Sequence, residues 1–385
     1  MSQRVLLVLR KLKIGGIERA TLDLASVLVR EGHEVHVLVL KGGHELEPTP
    51  GVVVHRVDFD KDFRRTGVGL LYDLFTRALL KQLLPGSGFV WRGWYGGRYL
   101  KRFVQRLERD CGRLDLIVIR GQGAFETAWS WRDPRLWQVT ESWPGEHRGW
   151  LRGRYLACLY QGKRVISVSD FVARQLEVLW QRHGITPAHS VTIPNLCDIE
   201  GVRRQAEAPI ELPSRPFIVH VSRLSRVKRQ DWLIRAYHEA AIEEDLVIVG
   251  DGAKRPELEA LVDELGLRQR VHFVGSQTNP YPWMKHARLF VLSSHSEAFG
   301  IVLAESLICG TPCAAIGCPG GVRNVLVHDQ ARLIADDSIA SLAQKIREGL
   351  NEPPDLASDP ELVERFRSEE RRVGKECRSR WSPYH

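Results

Sequence analysis

The feature that most constrains this chain is an alternation that runs its course and then begins again. Near the start, "RVLLVL" is a short β-rich run and "GGIERATLDLASVLVREG" repeats Ala20, Leu24, Val27 and Leu28 at helical spacing, before "HEVHVLVL" returns to β. Strand, helix and strand in that order form a βαβ unit, and such a crossover implies a parallel sheet. "LDLIVIRG" (114–121) and "RVISVSD" (164–170) supply later strands of the same kind. A polar, proline-bearing stretch interrupts, and the series restarts with "FIVHVSRL", "DWLIRAYHEAA", "DLVIVGDG", "ELEALVDELG", "VHFVGS", "ARLFVLSS" and "PCAAIG". The expected class is therefore α/β, with two doubly wound Rossmann-like domains at 1–195 and 215–366, a linker at 196–214, and a cleft between the domains. A length of 385 residues, more than one ordinary core accommodates, agrees.

Composition narrows the function classes. The opening "MSQRVLLVLRKLK" holds an apolar run of only five residues before Arg10, too short for a signal-peptide core or a membrane span. Seven cysteines show no CxxC pair, so free thiols in a reducing cytoplasm are expected, and Cys309, Cys313 and Cys318 read as core residues rather than zinc ligands. The formal charge of +8 is local: residues 61–110 hold eleven Lys/Arg against four acids. The same segment carries nine of the 31 aromatics, among them Phe63, Tyr72, Trp94, Tyr95, Tyr99 and Phe103. A basic, aromatic segment of this kind fits an anionic membrane surface, and equally a helical insertion that packs its rings on its own domain. No nucleic-acid motif accompanies it, which disfavours nucleic acid as the partner.

Chemistry gathers at the strand ends. Gly15 and Gly16 stand between the first strand and its helix, where backbone amides face an anion or simply make a tight turn. Arg223 and Lys228 follow "FIVHV", two cations that an anionic ligand would share. Gly250 and Gly275 lie at two further strand ends. In "SEAFGIVLAES", Glu297 precedes a helix spanning about 300–309 and Glu305 lies inside it. They stand about 12 Å apart along the axis and about 80° around it. That is too far to share a proton or to form a glycosidase pair, and it suits two acceptors gripping opposite ends of one hydroxyl-rich ligand. Amides near Gly300 lie between them, where a diphosphate meets the positive helix end. A nucleotide diphosphate sugar has that order of groups.

These residues resemble a family. "SEAFGIVLAESLICGTP" matches the E-x7-E motif of the family 4 retaining glycosyltransferases of GT-B fold. The likeness extends through "SRLSRVK", "LVIVGDG", "VHFVGS" and "GGIERATLDLASVLVREGHEV", from residue 4 to about 366. It implies that Arg223 and Lys228 hold and stabilise the departing diphosphate without a divalent metal or other cofactor. By the same resemblance Glu305 accepts from the ribose, Glu297 stands beside the transferred sugar, and Phe299, Gly300, Ile301 and Val302 present backbone to the donor. Gly15 and Gly16 would face its phosphates. The family's first-domain histidine has no counterpart, and "LIVIRGQGAFE" offers Arg120 and Gln122 as possible sugar contacts instead. In "GGVRN", Asn324 stands where the family has an acid.

The expectation is a metal-independent retaining hexosyltransferase that uses a nucleotide diphosphate sugar, UDP-linked by preference. It would act on a glycan, lipid-linked or lipopolysaccharide precursor at the inner face of the cytoplasmic membrane. A nucleotide-sugar epimerase of related fold and a non-catalytic nucleotide-sugar-binding protein are the competing readings. Residues 367–385, "RSEERRVGKECRSRWSPYH", resemble the translation of a sequencing adapter and are read as a non-native tail after a truncated second domain.

Overall fold

The structure, a computed structural model, describes residues 2–43, 46–75, 89–142 and 152–356. The tail 367–385 and the residues just before it lie outside the described residues. Chain contacts divide it into two compact units, the first up to Ile193 and the second from Pro194 on, with Ile14–Gly16 grouped with the second.

The first unit is built on seven strands: β1 (Arg4–Leu9), β2 (Glu34–Val39), β3 (Val52–Arg56), β4 (Leu116–Arg120), β5 (Leu136–Thr140), β6 (Arg164–Ser167) and β7 (His189–Thr192). They pair in the order β3-β2-β1-β4-β5-β6-β7, all parallel. Strands covered on both faces read as unbroken apolar runs, and β4 is buried at every residue. The helix Gly16–Arg30 turns Ala20, Leu24, Val27 and Leu28 inward, as its period requires.

The basic, aromatic segment folds as the helices Phe59–Arg65, Val68–Phe75 and Phe89–Cys111. Phe63 meets Tyr95 at 5.3 Å between ring centroids and Tyr72 at 6.4 Å, and Tyr95 meets Tyr99 at 6.1 Å. Much of the aromatic content is thus spent on self-packing. Lys61, Arg64, Arg65, Lys101, Arg102 and Arg106 are exposed, whereas Arg92 turns in to Asp60. Trp94 is exposed too, with the Arg98 guanidinium 3.4 Å over its ring. The acids of "DKD" are internally engaged: Asp60 receives Lys41 at 2.9 Å and Arg92 at 2.6 Å, and Tyr99 donates to Asp62 at 2.8 Å. Burial alone would raise the Asp60 carboxyl, but Lys41 and Arg92 hold it below its ordinary value.

The second unit carries β8 (Phe217–Val221), β9 (Asp245–Val249), β10 (Val271–Gly275), β11 (Leu289–Leu292), β12 (Cys313–Ile316) and β13 (Ile334–Ala335). Their order is β10-β9-β8-β11-β12-β13, again parallel. The order reverses between β8 and β11, so connections leave these two neighbours on opposite sides and open a crevice at their carboxyl ends. The stretch read as a linker at 196–214 holds a helix, Ile199–Ala206, N-capped by the Asp198 carboxylate and burying Ile199, Val202 and Ala206. Its polar outer face and flanking prolines hid this from the sequence.

Candidate functional site

Two loops start side by side at the reversal of the second sheet. After β8 the chain runs through Arg223 to a short 3-10 turn, Arg226–Lys228, and then enters the helix Gln230–Ala240. After β11 it runs through Ser293, Ser294 and Glu297 into the helix Ile301–Ile308. Main-chain and hydroxyl bonds stitch the two together: the His295 amide donates to the Val227 carbonyl at 2.8 Å, and Ser293 Oγ donates to the Lys228 carbonyl at 2.8 Å. Lys228 Nζ then lies 2.5 Å from Glu297 Oε1, which also accepts from Ser294 Oγ at 2.6 Å. The sequence placed Lys228 on phosphate and Glu297 on sugar; the structure joins them in one ion pair.

The main chain under Glu297 leaves no freedom. Its amide donates to the Pro319 carbonyl at 3.1 Å, and the Gly321 amide donates to its carbonyl at 3.0 Å. A Cβ on Gly320 would lie 1.4 Å from the Glu297 carbonyl oxygen, so only glycine permits this approach. Gly300, at φ +85, makes the turn from the buried Phe299 into the helix. The amides of Ile301 and Val302 are among the first four of that helix, which have no intrahelical acceptor and carry its positive end. Further in, Glu305 is 3 % exposed, and Tyr281 Oη donates to its Oε1 at 2.9 Å. Tyr281 escaped the sequence reading because "YPWMK" looks like an ordinary apolar helix.

Arg223 is exposed, and its side chain has no hydrogen-bond or ion-pair partner among the described residues. Its main chain is fixed: the Ser222 amide donates to the Val249 carbonyl and the Leu224 amide to the Asp251 carbonyl, each at 3.0 Å. Gly250 and Gly275 join the ends of β9 and β10, with the Gly250 amide donating to the Gly275 carbonyl at 2.7 Å. Behind the loop, His220 is wholly buried. Burial, together with the nearby Lys228 charge, pushes its imidazole down to about 4 even though the Val291 carbonyl favours the charged ring. No spacing rule in the sequence singled this histidine out.

The first-unit candidates are differently placed. Gly16 opens the helix Gly16–Arg30, with Gly15 in the turn before it. Arg120, at the end of β4, is 4 % exposed; its Nε donates to Glu141 Oε1 at 2.8 Å, its Nη2 pairs with the same oxygen, and its Nη1 donates to the Ala20 carbonyl at 2.9 Å. That guanidinium is committed to holding the sheet and its first helix together. Gln122 Nε2 donates to Tyr155 Oη at 2.8 Å, and Tyr155 Oη donates to Glu126 Oε1 at 2.7 Å. Burial first, and the Glu126 carboxylate second, push the Tyr155 phenol well above its ordinary range. Cys309, Cys313 and Cys318 are buried or half-buried thiols, each pushed up to about 12 by burial. Among the described residues, one group of three possible metal ligands comes together, Glu34, His36 and Cys111, where Glu34 also pairs with Arg4 at 2.8 Å.

Two family models divide the chain between them. One described as "Glycosyltransferase Family 4" matches residues 14–200, and one described as "Glycosyl transferases group 1" matches residues 203–372. Over 173 residues the chain is 34% identical to N-acetylgalactosamine-N,N'-diacetylbacillosaminyl-diphospho-undecaprenol 4-alpha-N-acetylgalactosaminyltransferase of Campylobacter jejuni, covering 45% of this chain and 47% of the other. Over 201 residues it is 35% identical to the lipopolysaccharide core biosynthesis glycosyltransferase LpsD of Rhizobium meliloti, covering 51% and 54%. The chain thus spans about half the length of these curated relatives. Among solved structures, HepE of Anabaena in complex with UDP and glucose superposes with a TM-score of 0.67 at 20% identity, covering 98% of this chain and 100% of that one. The likeness shows the fold, GT-B, with its two parallel-sheet α/β domains.

Proposed function

We propose that the chain, matched over residues 14–200 by one glycosyltransferase model and over residues 203–372 by another, is a family 4 glycosyltransferase that transfers a sugar, with retention, from a nucleotide diphosphate donor to a lipid-linked or cell-surface glycan precursor. The observation that carries this reading is the convergence of Lys228, Glu297 and Ser294 at the root of the helix that buries Glu305. In the reaction the bond from the anomeric carbon to the diphosphate breaks with its electron pair staying on the diphosphate oxygen. The acceptor hydroxyl oxygen bonds to the anomeric carbon from the same face, and its proton passes to the departing diphosphate. Arg223, Lys228 and the amides of Ile301 and Val302 stabilise that charge as it develops, which makes them worth most in the transition state. Lys228 exchanges Glu297 for phosphate, and Glu297 turns to a sugar hydroxyl beside the main chain of Phe299 and Gly300. Glu305, oriented by Tyr281, accepts from the ribose. Gly250 and Gly275 keep the neighbouring strand ends low, and Gly15 and Gly16 offer amides to the donor phosphates.

Two cations and a helix terminus take the role a divalent metal plays elsewhere, so the reaction proceeds without one. A UDP-linked donor is favoured by the fold shared with HepE, whose structure holds UDP and glucose. The acceptor class follows the undecaprenol-linked and lipopolysaccharide substrates in the relatives' names. A peripheral stance on an anionic membrane is supported by exposed Val68, Leu70 and Leu71 next to exposed Lys61, Arg64 and Arg65. Among the described residues no helix is long and apolar enough to cross a membrane.

The test is a thermal-shift panel of nucleotide sugars followed by product analysis with undecaprenyl-linked acceptors, with and without EDTA. A donor that raises the melting temperature, and an EDTA-insensitive glycosylated product with retained configuration, are the expected results. Altered free donor formed without acceptor would instead mark an epimerase.

A further inference from the structure

Behind the loop that carries Arg223 and Lys228 runs a chain of hydrogen bonds, buried at His220 and part-buried beyond it, whose polarity is forced at every link. His220 Nδ1 lies 2.8 Å from the Val291 carbonyl on β11; a carbonyl only accepts, so Nδ1 carries the proton. Nε2 of the neutral ring is then an acceptor, and Ser222 Oγ, 2.8 Å away, donates its one proton to it. The Ser222 oxygen accepts in turn from Gln230 Nε2 at 2.8 Å. The second N–H of the same amide donates to the Arg223 carbonyl at 3.0 Å, which also fixes which end of the Gln230 amide faces the loop. His220 and Gln230 are 0 % and 1 % exposed, while Ser222 between them is half-buried.

We propose that His220 is a positioning residue for the arginine that meets the donor diphosphate. Through Ser222 and Gln230 it holds the Arg223 carbonyl, and with it the root of the guanidinium. The inference rests on the reading of Arg223 as a phosphate ligand. Lys228 is anchored from the other side, by Ser293 Oγ on its own carbonyl and the His295 amide on the Val227 carbonyl, so the chain acts mainly on the arginine. Its polarity holds while the imidazole is neutral, which burial ensures down to about pH 4. Once protonated, Nε2 becomes a donor, and the Ser222 proton must turn to the Arg223 carbonyl at 3.4 Å, a poorer bond on the group being held. A buried network of this kind acts as a unit, so removing one member should loosen all of it.

The experiment is a double-mutant cycle on the full chain, read as UDP binding by calorimetry, with GDP and ADP titrated in parallel. Arg223→Ala is expected to weaken UDP by about tenfold or more, and His220→Phe, which keeps the ring volume but removes both bonds, by about three- to tenfold. The double variant should bind UDP no more than about twofold weaker than Arg223→Ala alone, because positions that act through one group are not additive. Ser222→Ala should behave like His220→Phe, and Ser222→Thr, which keeps the hydroxyl, should restore most of the affinity. If His220→Phe fails to fold, Ser222→Ala carries the same cycle. A full, multiplicative loss in the Arg223→Ala background, or wild-type affinity in a folded His220→Phe or Ser222→Ala variant, would overturn the positioning role. Absence of UDP, GDP and ADP binding by the wild type, or an Arg223→Ala variant that binds them normally, would overturn the donor-site reading and this inference with it.

Discussion

The two units share a plan and differ in what they do with charge at the same kind of place. At the end of β4 in the first unit, Arg120 is buried, paired with Glu141 and tied to the Ala20 carbonyl. At the end of β8 in the second, Arg223 is exposed and, among the described residues, without a side-chain partner, while Lys228 holds an acid that is itself positioned by Ser294. One strand-end arginine is part of the framework; the other is exposed, and the proposed function assigns it to a ligand. Sequence position alone does not separate them. What separates them is the partner each finds in space.

The largest expected effect tests the framework side. Arg120→Ala removes one partner of a buried pair and should cost about 3–5 kcal/mol of stability, seen as a lower denaturation midpoint. Calorimetry on the folded fraction should find UDP affinity unchanged, and a matching loss of affinity would break the contrast. On the other side, Arg223→Ala and Lys228→Ala should each lower turnover by about one to three powers of ten with little change in melting temperature. Normal turnover in either variant would take that residue out of the site.

A finer division lies within the second unit. Glu305→Gln should weaken UDP binding by about tenfold, and Tyr281→Phe by less, since a neutral acceptor replaces a charged one or loses its orienting hydroxyl. Glu297→Gln should slow transfer instead, with UDP affinity within about threefold of wild type. Equal UDP affinity in wild type and Glu305→Gln would contradict the ribose assignment. The smallest effect belongs to the first unit's outer face. Cosedimentation with anionic vesicles should fall a few-fold when Lys101, Arg102 and Arg106 become Glu, and should decline as salt rises past the screening length of about 8–10 Å. Absence of vesicle binding at low salt would leave the aromatic segment as self-packing alone.

The doubly wound plan was legible because its central strands are buried on both faces and therefore read as apolar runs, as in β1, β4, β8 and β9. β5 was not legible: "LWQVT" is buried throughout, yet Gln138 and Thr140 interrupt the pattern. β3 and β7 sit at the sheet's edges and are partly exposed. In the site, Arg223, Lys228 and Glu297 stood out because each follows a strand end, and Glu305 because of its fixed spacing from Glu297 inside the helix. Tyr281 and His220 did not, since their roles come from partners 24 and 71 residues away along the chain. The stretch 61–110 kept both of the readings its composition allowed. Its charge drew attention outward, whereas Phe63, Tyr72, Tyr95 and Tyr99 are largely occupied with one another.

The Lys228–Glu297 pair also governs how an anion finds this site. Seen from several ångströms away, a lysine held 2.5 Å from a carboxylate presents a dipole rather than a charge, and its field fades quickly. Long-range attraction is left to exposed cations of the same loop, Arg223 and Arg226 among them, so the Lys228–Glu297 pair should add little to the ionic-strength dependence of donor capture. The second positive charge emerges only at contact, when the carboxylate lets go. Under the proposed assignment recruitment and grip are divided between neighbouring residues, the lysine being released by an anion whose sugar also engages Glu297.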